Sequence, residues 1–274
     1  MKKVKFTVLM CTYYKDDPNL LESSILSIFR NTIKPDFFIL TVDGKIPSKN
    51  WEIIHKLKKK YTFQINIIKE NVGLALALNN AIKLVKTKWI ARADSDDINM
   101  PIRFERQIQL AKNNIDVIGS NILEIDQNNN LLKFEKSMPE SNEKIKKYLN
   151  TRNPINHMTA FYKTDLVKKV GGYPNIFHRE DYGLWVKLAH EGAIFYNLND
   201  ILVRVNGGKS LYKRRRGLKN IPAEFKLQFL FYRLKIKPFY LAIFHFIIRI
   251  FFLLLPINIL EKFYQHILRQ KINF

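Results

Sequence analysis

Three carboxylates fall within four residues in the segment Arg92-Ala93-Asp94-Ser95-Asp96-Asp97-Ile98. Carboxylates this close repel one another, and the cluster is costly unless a cation or a set of hydrogen-bond donors compensates it. A divalent cation such as Mg²⁺ or Mn²⁺, bound by one or two carboxylates and by substrate phosphates, supplies that compensation. Asp97 alone has a simpler reading, because it precedes a helix expected to open near Met100-Pro101, and acids favour that end. Capping leaves Asp94 and Asp96 over, and these two are the candidate metal ligands. A second acidic pair, Glu180-Asp181, precedes the amphipathic run Leu184–Ala189. On its own it reads as the acidic first turn of a helix.

Other candidates are polar residues that interrupt apolar runs. Thr12 and Tyr13 open a turn-forming stretch that runs to Asp17. In Asp43-Gly44 the glycine lets a backbone approach a ligand closely, and the carboxylate can accept from an N–H or O–H. Asn71 and Gly73 lead into a run of small alanines, which suits close packing against a helix or a nucleotide equally well. Arg92 either assists with developing negative charge or pairs with the neighbouring acids. His157 and His178 could complete a metal site or bind phosphate when protonated, and a structural role explains each at least as well.

These residues need a frame. Phe6–Met10, Phe37–Val42, Phe63–Ile68 and Lys88–Ala93 read as strands, and Leu20–Phe29, Trp51–Lys59 and Leu74–Val85 as helices between them. Strands alternating with helices at this spacing indicate an α/β fold of right-handed βαβ units with a mostly parallel sheet flanked by helices. Ligands of such sheets bind beyond the carboxyl ends of the strands. Thr12-Tyr13, Asp43-Gly44, Asn71–Gly73 and Arg92–Asp97 each follow one of those strands.

Composition adds a second part to the molecule. The 274 residues include 46 Lys+Arg and 24 Asp+Glu, a formal charge of +22, with 47% hydrophobic residues, too apolar a mixture for a disordered polycation. From Lys209 to the C-terminus there are 14 basic residues and two acids, a net +12, which is more than half of the excess in a quarter of the chain. We therefore expect a domain at 1–208 and a basic, aromatic helical tail at 209–274. The tail opens with Lys213-Arg214-Arg215-Arg216 and becomes almost wholly apolar from Phe239 to Pro256. Arg249 and His245 inside that stretch disfavour a spanning helix, since a central Arg costs roughly 2.5–3.5 kcal/mol. Aromatic and aliphatic residues beside dense basic ones suit an interfacial anchor on anionic lipid. A helical hairpin packed on the main domain or mediating a dimer is the blander reading. The tail has no zinc finger, no RNP-like strand and no helix-turn-helix punctuation, so nucleic acid is not the expected partner. A single cysteine, Cys11, excludes an intrachain disulfide framework and fits a reducing compartment, and no export signal is read at the N-terminus.

With these pieces in order, the chain resembles the family 2 glycosyltransferases of the GT-A fold, especially bacterial enzymes of capsule, exopolysaccharide and O-antigen synthesis. The matching segments are Thr7–Tyr13, Glu22–Ile25, Val42–Gly44, Asn71–Ile82, Arg92–Ile98 with Pro101, Arg103 and Phe104, Asn153–His157, Gly171–Tyr173 and Glu180–Trp185. The resemblance implies a GT-A, Rossmann-like domain and a nucleotide-sugar donor, most often a UDP-sugar. It implies that Asp43 contacts the uracil, Asp94 the ribose, and Asp96 a Mn²⁺ or Mg²⁺ ion bridging the diphosphate, with Thr12, Tyr13, Asn71, Gly73 and Arg92 around the nucleotide. It further implies that Asp181 is the base that deprotonates an acceptor hydroxyl, giving inversion, and that Glu180 orients the acceptor or starts the helix. The acceptor would be a lipid-linked or oligosaccharide glycan, met at the inner face of the plasma membrane by a cytoplasmic, peripherally bound enzyme. Lys209 and Lys213–Arg216 could fold over the diphosphate as a lid. With no run of transmembrane segments after the catalytic region, a single addition is expected rather than processive synthesis.

Two other functions remain open at this level. A nucleotidyltransferase also uses an α/β sheet and paired carboxylates, but it needs a glycine-rich basic phosphate loop near the first strand, and Thr12–Asp17 is not one. A basic membrane- or polyanion-binding module on a degenerate enzyme fold would also account for the tail.

Overall fold

The computed structural model describes residues 4–126, 129–207, 217–255 and 270–271. β1 (Phe6–Thr12) is apolar along most of its length and buried from end to end, as a strand covered on both faces must be. Turn chemistry then starts α1 (Pro18–Phe29). Pro18 takes its first position, and the Asp17 carboxylate accepts the Asn19 N–H at 2.8 Å and the Leu20 N–H at 3.1 Å. β2 (Phe37–Asp43), α2 (Ser48–Lys60), β3 (Gln64–Ile68), α3 (Leu74–Leu84) and β4 (Trp89–Arg92) follow. The alternation expected from the apolar runs is therefore realised, with ends displaced by at most three residues. β1 pairs in parallel with β2 and β4, and β2 with β3.

Beyond β4 the alternation ends. The chain continues through β5 (Ile98–Asn99), α4 (Arg103–Ala111), β6 (Val117–Asp126), β7 (Asn129–Lys136), α5 (Asn142–Leu149), β8 (Phe161–Lys163), α6 (Thr164–Lys169), α7 (Glu180–His190) and β9 (Phe195–Gly207). β8 joins the two halves, antiparallel to both β4 and β6. β6 runs antiparallel to β7 and parallel to β9, and β5 pairs antiparallel with β9. The sheet is parallel where helices cross between strands and mixed where connections are too short for a crossover.

Side-chain alternation along the strands divides the core in two. Phe6, Val8 and Met10 of β1 point to one face and pack with Leu21, Ile25, Ile54 and Phe104 from α1, α2 and α4. Leu9 and Cys11 point to the other, where Leu78 of α3 and Leu184, Trp185 and Leu188 of α7 cover them. The strand ends carrying the candidate residues are thus fixed from both sides.

The C-terminal part adds α8 (Ile221–Arg233), α9 (Phe239–Leu254) and β10 (Gln270–Lys271), the last antiparallel to β7. Leu227 and Phe231 of α8 are fully buried in the same cluster as Trp185. α9 lies along α8 and buries only Ala242 and Leu253. Its 16 residues reach about 24 Å at ~1.5 Å per residue. Among the described residues no helix is long and apolar enough to cross a membrane.

Candidate active site

Arg92 closes β4, and the chain then turns sharply through Asp94, Ser95, Asp96 and Asp97 before β5. This turn gathers one oxygen from each of Asp94, Asp96 and Asp97 within 4.8 Å of one another. Asp97 is therefore a member of the cluster, and its expected role as a helix cap is not realised. α4 starts only at Arg103, after Ile102, and has no side-chain cap. Instead the Asp97 carboxylate is buried and accepts the Asn206 backbone N–H at 3.3 Å. Burial first, then the charges of Asp94 and Asp96, push its carboxyl well above the usual range.

Two buried guanidiniums lie behind the acids. Arg92 pairs with the Asp94 carboxylate, while its Nε and Nη1 have no hydrogen-bond partner among the described residues. Arg103 donates from Nη2 to the Arg92 carbonyl at 2.6 Å, from Nε to Gln107 at 3.2 Å, and from Nη1 to Asn99. Burial, reinforced by the charge of Arg92, lowers its pKa to about 9. Asp16, in the turn after β1, accepts the Ser95 hydroxyl at 2.6 Å and the Tyr13 N–H at 3.2 Å. It ties Thr12-Tyr13 to the acid cluster. Four carboxylates thus face two guanidiniums, leaving two negative charges when all are ionised, which fits one divalent cation held by Asp94, Asp96 and Asp97.

Asp43, Asn71 and Gly73 are also brought together. The buried Asp43 carboxylate accepts the Val72 N–H at 2.8 Å, the Gly73 N–H at 3.0 Å and the Asn71 amide at 3.1 Å. It shapes the β3–α3 loop, and a carboxylate with about four acceptor positions has capacity for a further donor.

Glu180 and Asp181 open α7. Asp181 accepts the Asn153 amide at 2.5 Å and the Tyr182 N–H at 2.7 Å, so the matched Asn153–His157 segment orients it. Burial, followed by the charge of Asp181, raises Glu180 to about 7. Near neutral pH Glu180 is therefore partly protonated. Asp181 lines a cavity of about 510 Å³ to which α9 also contributes a wall. The end of β9 separates this cavity from the acid cluster. Val205 lines the cavity, while the next residue, Asn206, binds Asp97 through its N–H and the Asp96 carbonyl through its amide.

The histidines stay outside the carboxylate cluster. His157 is buried, meets the Tyr173 hydroxyl at 2.9 Å, and is kept neutral by burial. Tyr173 in turn meets the Tyr162 hydroxyl at 2.9 Å, which makes a structural chain. His178 lies exposed at the cavity with a positive φ of 55°. Lys209 and Lys213–Arg216 lie outside the described residues. Residue types alone gave no role to Asp16, Arg103 or Asn153. An acid after the first strand and a basic residue just past the acid cluster were the available signals for the first two.

An α/β sheet with an acid cluster at a strand end, beside a cavity lined by one carboxylate of a second acidic pair, fits a transferase of GT-A type. Residues 7–170 match the model of glycosyl transferase family 2, and the chain belongs to that family: it is a glycosyltransferase. It is 34% identical over 269 residues to an uncharacterised glycosyltransferase of Haemophilus influenzae, covering 97% of this chain and 100% of that one. It is 35% identical over 268 residues to the UDP-Gal:alpha-D-GlcNAc-diphosphoundecaprenol beta-1,3-galactosyltransferase of Escherichia coli, covering 97% of both. Identity to the amylovoran biosynthesis glycosyltransferase of Erwinia amylovora is 30% over 262 residues, covering 95% of this chain and 98% of that one. Among solved structures, a mannosyltransferase of Pyrobaculum calidifontis in complex with GDP-Man and Mn²⁺ superposes with a TM-score of 0.62 at 14% identity, over 85% of this chain and 64% of that one. Residues 1–349 of S. aureus TarS with UDP-GlcNAc give 0.61 at 16% identity, over 93% and 83%. These likenesses establish the GT-A fold.

Proposed function

We propose that this enzyme transfers a hexose or N-acetylhexosamine from a UDP-sugar to a lipid-linked glycan, with inversion, in the synthesis of a bacterial surface polysaccharide. The observation that carries this reading is the adjacency, across the end of β9, of the acid cluster and the cavity that holds Asp181. Asp94, Asp96 and Asp97 would hold Mn²⁺ or Mg²⁺, which when bound neutralises charge on the departing diphosphate. Asp43, Asn71 and Gly73, with the turn at Thr12-Tyr13, hold the nucleoside. Arg92 fixes Asp94 and neutralises part of the acid charge. Asp181 takes the proton of the acceptor hydroxyl while that oxygen bonds to the anomeric carbon and UDP leaves with the bonding electrons. Glu180, its carboxyl raised by burial, stands beside Asp181 in the first turn of α7 and is placed to orient the acceptor. The acceptor class is supported by the printed activity of the E. coli relative.

The tail, residues 209–274, is proposed as a peripheral anchor at the cytoplasmic face of the plasma membrane. The residues of α9 turned away from the cavity are apolar and open: Tyr240, Ile243, Ile247, Phe251 and Leu254 are 42–69% exposed. Phe225, Phe229 and Tyr232 of α8 are exposed as well, and residues 209–274 carry a net +12 in the sequence, which suits anionic lipid.

The test is a donor screen with UDP-galactose, UDP-glucose and UDP-N-acetylglucosamine, reading UDP release with Mn²⁺ and a GlcNAc-diphosphate-alkyl acceptor. Asp96→Ala is expected to abolish metal-dependent UDP binding, and Asp181→Asn to keep UDP binding while losing transfer by at least a hundredfold. Equal UDP binding without metal and in Asp96→Ala would refute the metal role. Transfer surviving in Asp181→Asn would refute the base.

A further inference from the structure

Arg249 is the one arginine in a helix that is otherwise apolar apart from His245. The fold segregates the two faces of that helix. Phe244, His245, Ile248, Arg249, Phe252 and Leu253 line the cavity, while the outward positions are aliphatic and aromatic. Arg249 is therefore turned inward, toward the chamber that contains Asp181. Its Nη2 donates to the Thr151 carbonyl, and the next residue, Arg152, lines the same chamber. No ion pair is formed by Arg249 or Arg152 among the described residues. The acids of the chamber are otherwise engaged. Glu224 pairs with Arg179 and accepts from Gln228, Asp181 holds Asn153, and Glu124 is buried. A single hydrogen bond uses one of the five donors of Arg249. Two guanidiniums that keep donors available beside a sugar-sized chamber are suited to an oxyanion of phosphate type.

The rim adds the second half of the ligand. Phe244 and Ile248 line the chamber and are also 56% and 38% exposed, so an apolar path leads from the arginines to the outer face of α9. We propose that Arg249 and Arg152 bind the diphosphate of a sugar-diphosphate-lipid acceptor, with the sugar reaching inward to Asp181 and the hydrocarbon leaving along Phe244 and Ile248. α9 is then a wall of the acceptor site as well as a surface helix. This inference rests on the acceptor reading given above and assigns the residues that would carry it.

The test is equilibrium binding of a GlcNAc-diphosphate-alkyl probe to the full chain and to Arg249→Ala, Arg249→Lys and Arg152→Ala. Parallel titrations use the alkyl glycoside without diphosphate, phosphatidylglycerol vesicles, and UDP with Mn²⁺. The two alanine variants are each expected to weaken the diphosphate probe at least tenfold, Arg249→Lys less, with UDP affinity unchanged and the alkyl glycoside bound weakly by all forms. Failure of the wild-type chain to bind the probe, or an affinity in both alanine variants unchanged from that of the wild type, would overturn the assignment. So would a loss confined to the vesicles, which would make the arginines contacts for a lipid surface. A lowered unfolding midpoint with unchanged probe affinity would reduce Arg249 to a tether for Thr151 and also overturn it. Absence of UDP binding, with probe binding as expected, would instead strike the donor reading and leave this site standing.

Discussion

Replacing Glu180 by glutamine should make the protein more stable, and only at neutral and alkaline pH. Glu180 is raised from 4.5 to about 7, chiefly by burial and then by the charge of Asp181. A carboxyl whose folded value lies above its unfolded value favours the folded state while protonated, and that contribution is lost as pH rises through the folded value. At ~1.36 kcal/mol per pH unit, moving from 4.5 to about 7 corresponds to about 3 kcal/mol, surrendered by the native protein between pH 4.5 and pH 8. The glutamine side chain keeps the shape and the hydrogen-bonding capacity and has no charge to bury. For a chain of this size, at roughly 2–4 °C per kcal/mol, Glu180→Gln should unfold roughly 6–12 °C higher at pH 8. The two proteins should converge below pH 4.5. Thermal unfolding in the presence of a chelator, followed by circular dichroism across pH 4.5–8.5, reads this directly. A difference in midpoint that stays constant over the whole range would refute the linkage, and with it the view that burial raises the Glu180 carboxyl.

Two further outcomes follow from local geometry. Gly44 has a φ of +81°, and a Cβ there would stand 2.7 Å from the Asn71 backbone nitrogen. Gly44→Ala should therefore cost at least ~2 kcal/mol of stability from backbone strain and the clash, and should weaken UDP binding in calorimetry because the loop held by Asp43 must shift. Ile247 and Phe251 are 60% and 62% exposed on the outer face of α9. The double change Ile247→Asp, Phe251→Asp should cut sedimentation with phosphatidylglycerol vesicles by at least tenfold, since each apolar side chain is worth roughly 1.5–3 kcal/mol when buried, while UDP binding stays at the native level.

The parallel half of the sheet was legible because its signals are local. Phe6–Met10 and Phe37–Val42 are apolar runs of strand length between turn residues, and each reappears as a strand extended by one or two residues. The antiparallel half was not legible for the opposite reason. β5 is two residues long and exists because Ile98 and Asn99 meet Arg204 and Val203 on β9, a partnership no window around Ile98 contains. The same distance hid the role of Asp97. Reading forward along the chain, an acid before an expected helix is a cap. Its actual partner is the N–H of Asn206, 109 residues away. Asp16 and Arg103 were hidden likewise, since their value lies in reaching Ser95 and the Arg92 carbonyl across the sheet ends.

Arg249 illustrates a different limit. In the sequence it counts against a spanning helix, because hydropathy sums a helix over all its faces. The fold assigns each residue to one face, and that changes the sign of the argument. A charged side chain in the plane of a lipid surface is a cost to α9, whereas the same side chain turned toward the Asp181 chamber shares that chamber's wall with Arg152 and Tyr182. The outer face then loses nothing by its presence, and the apolar positions Tyr240, Ile243, Ile247, Phe251 and Leu254 form an unbroken stripe at helical spacing. An enzyme whose acceptor is part sugar, part diphosphate and part hydrocarbon needs all three environments close together. A single amphipathic helix that lines the chamber with one face and exposes the other would supply the last two.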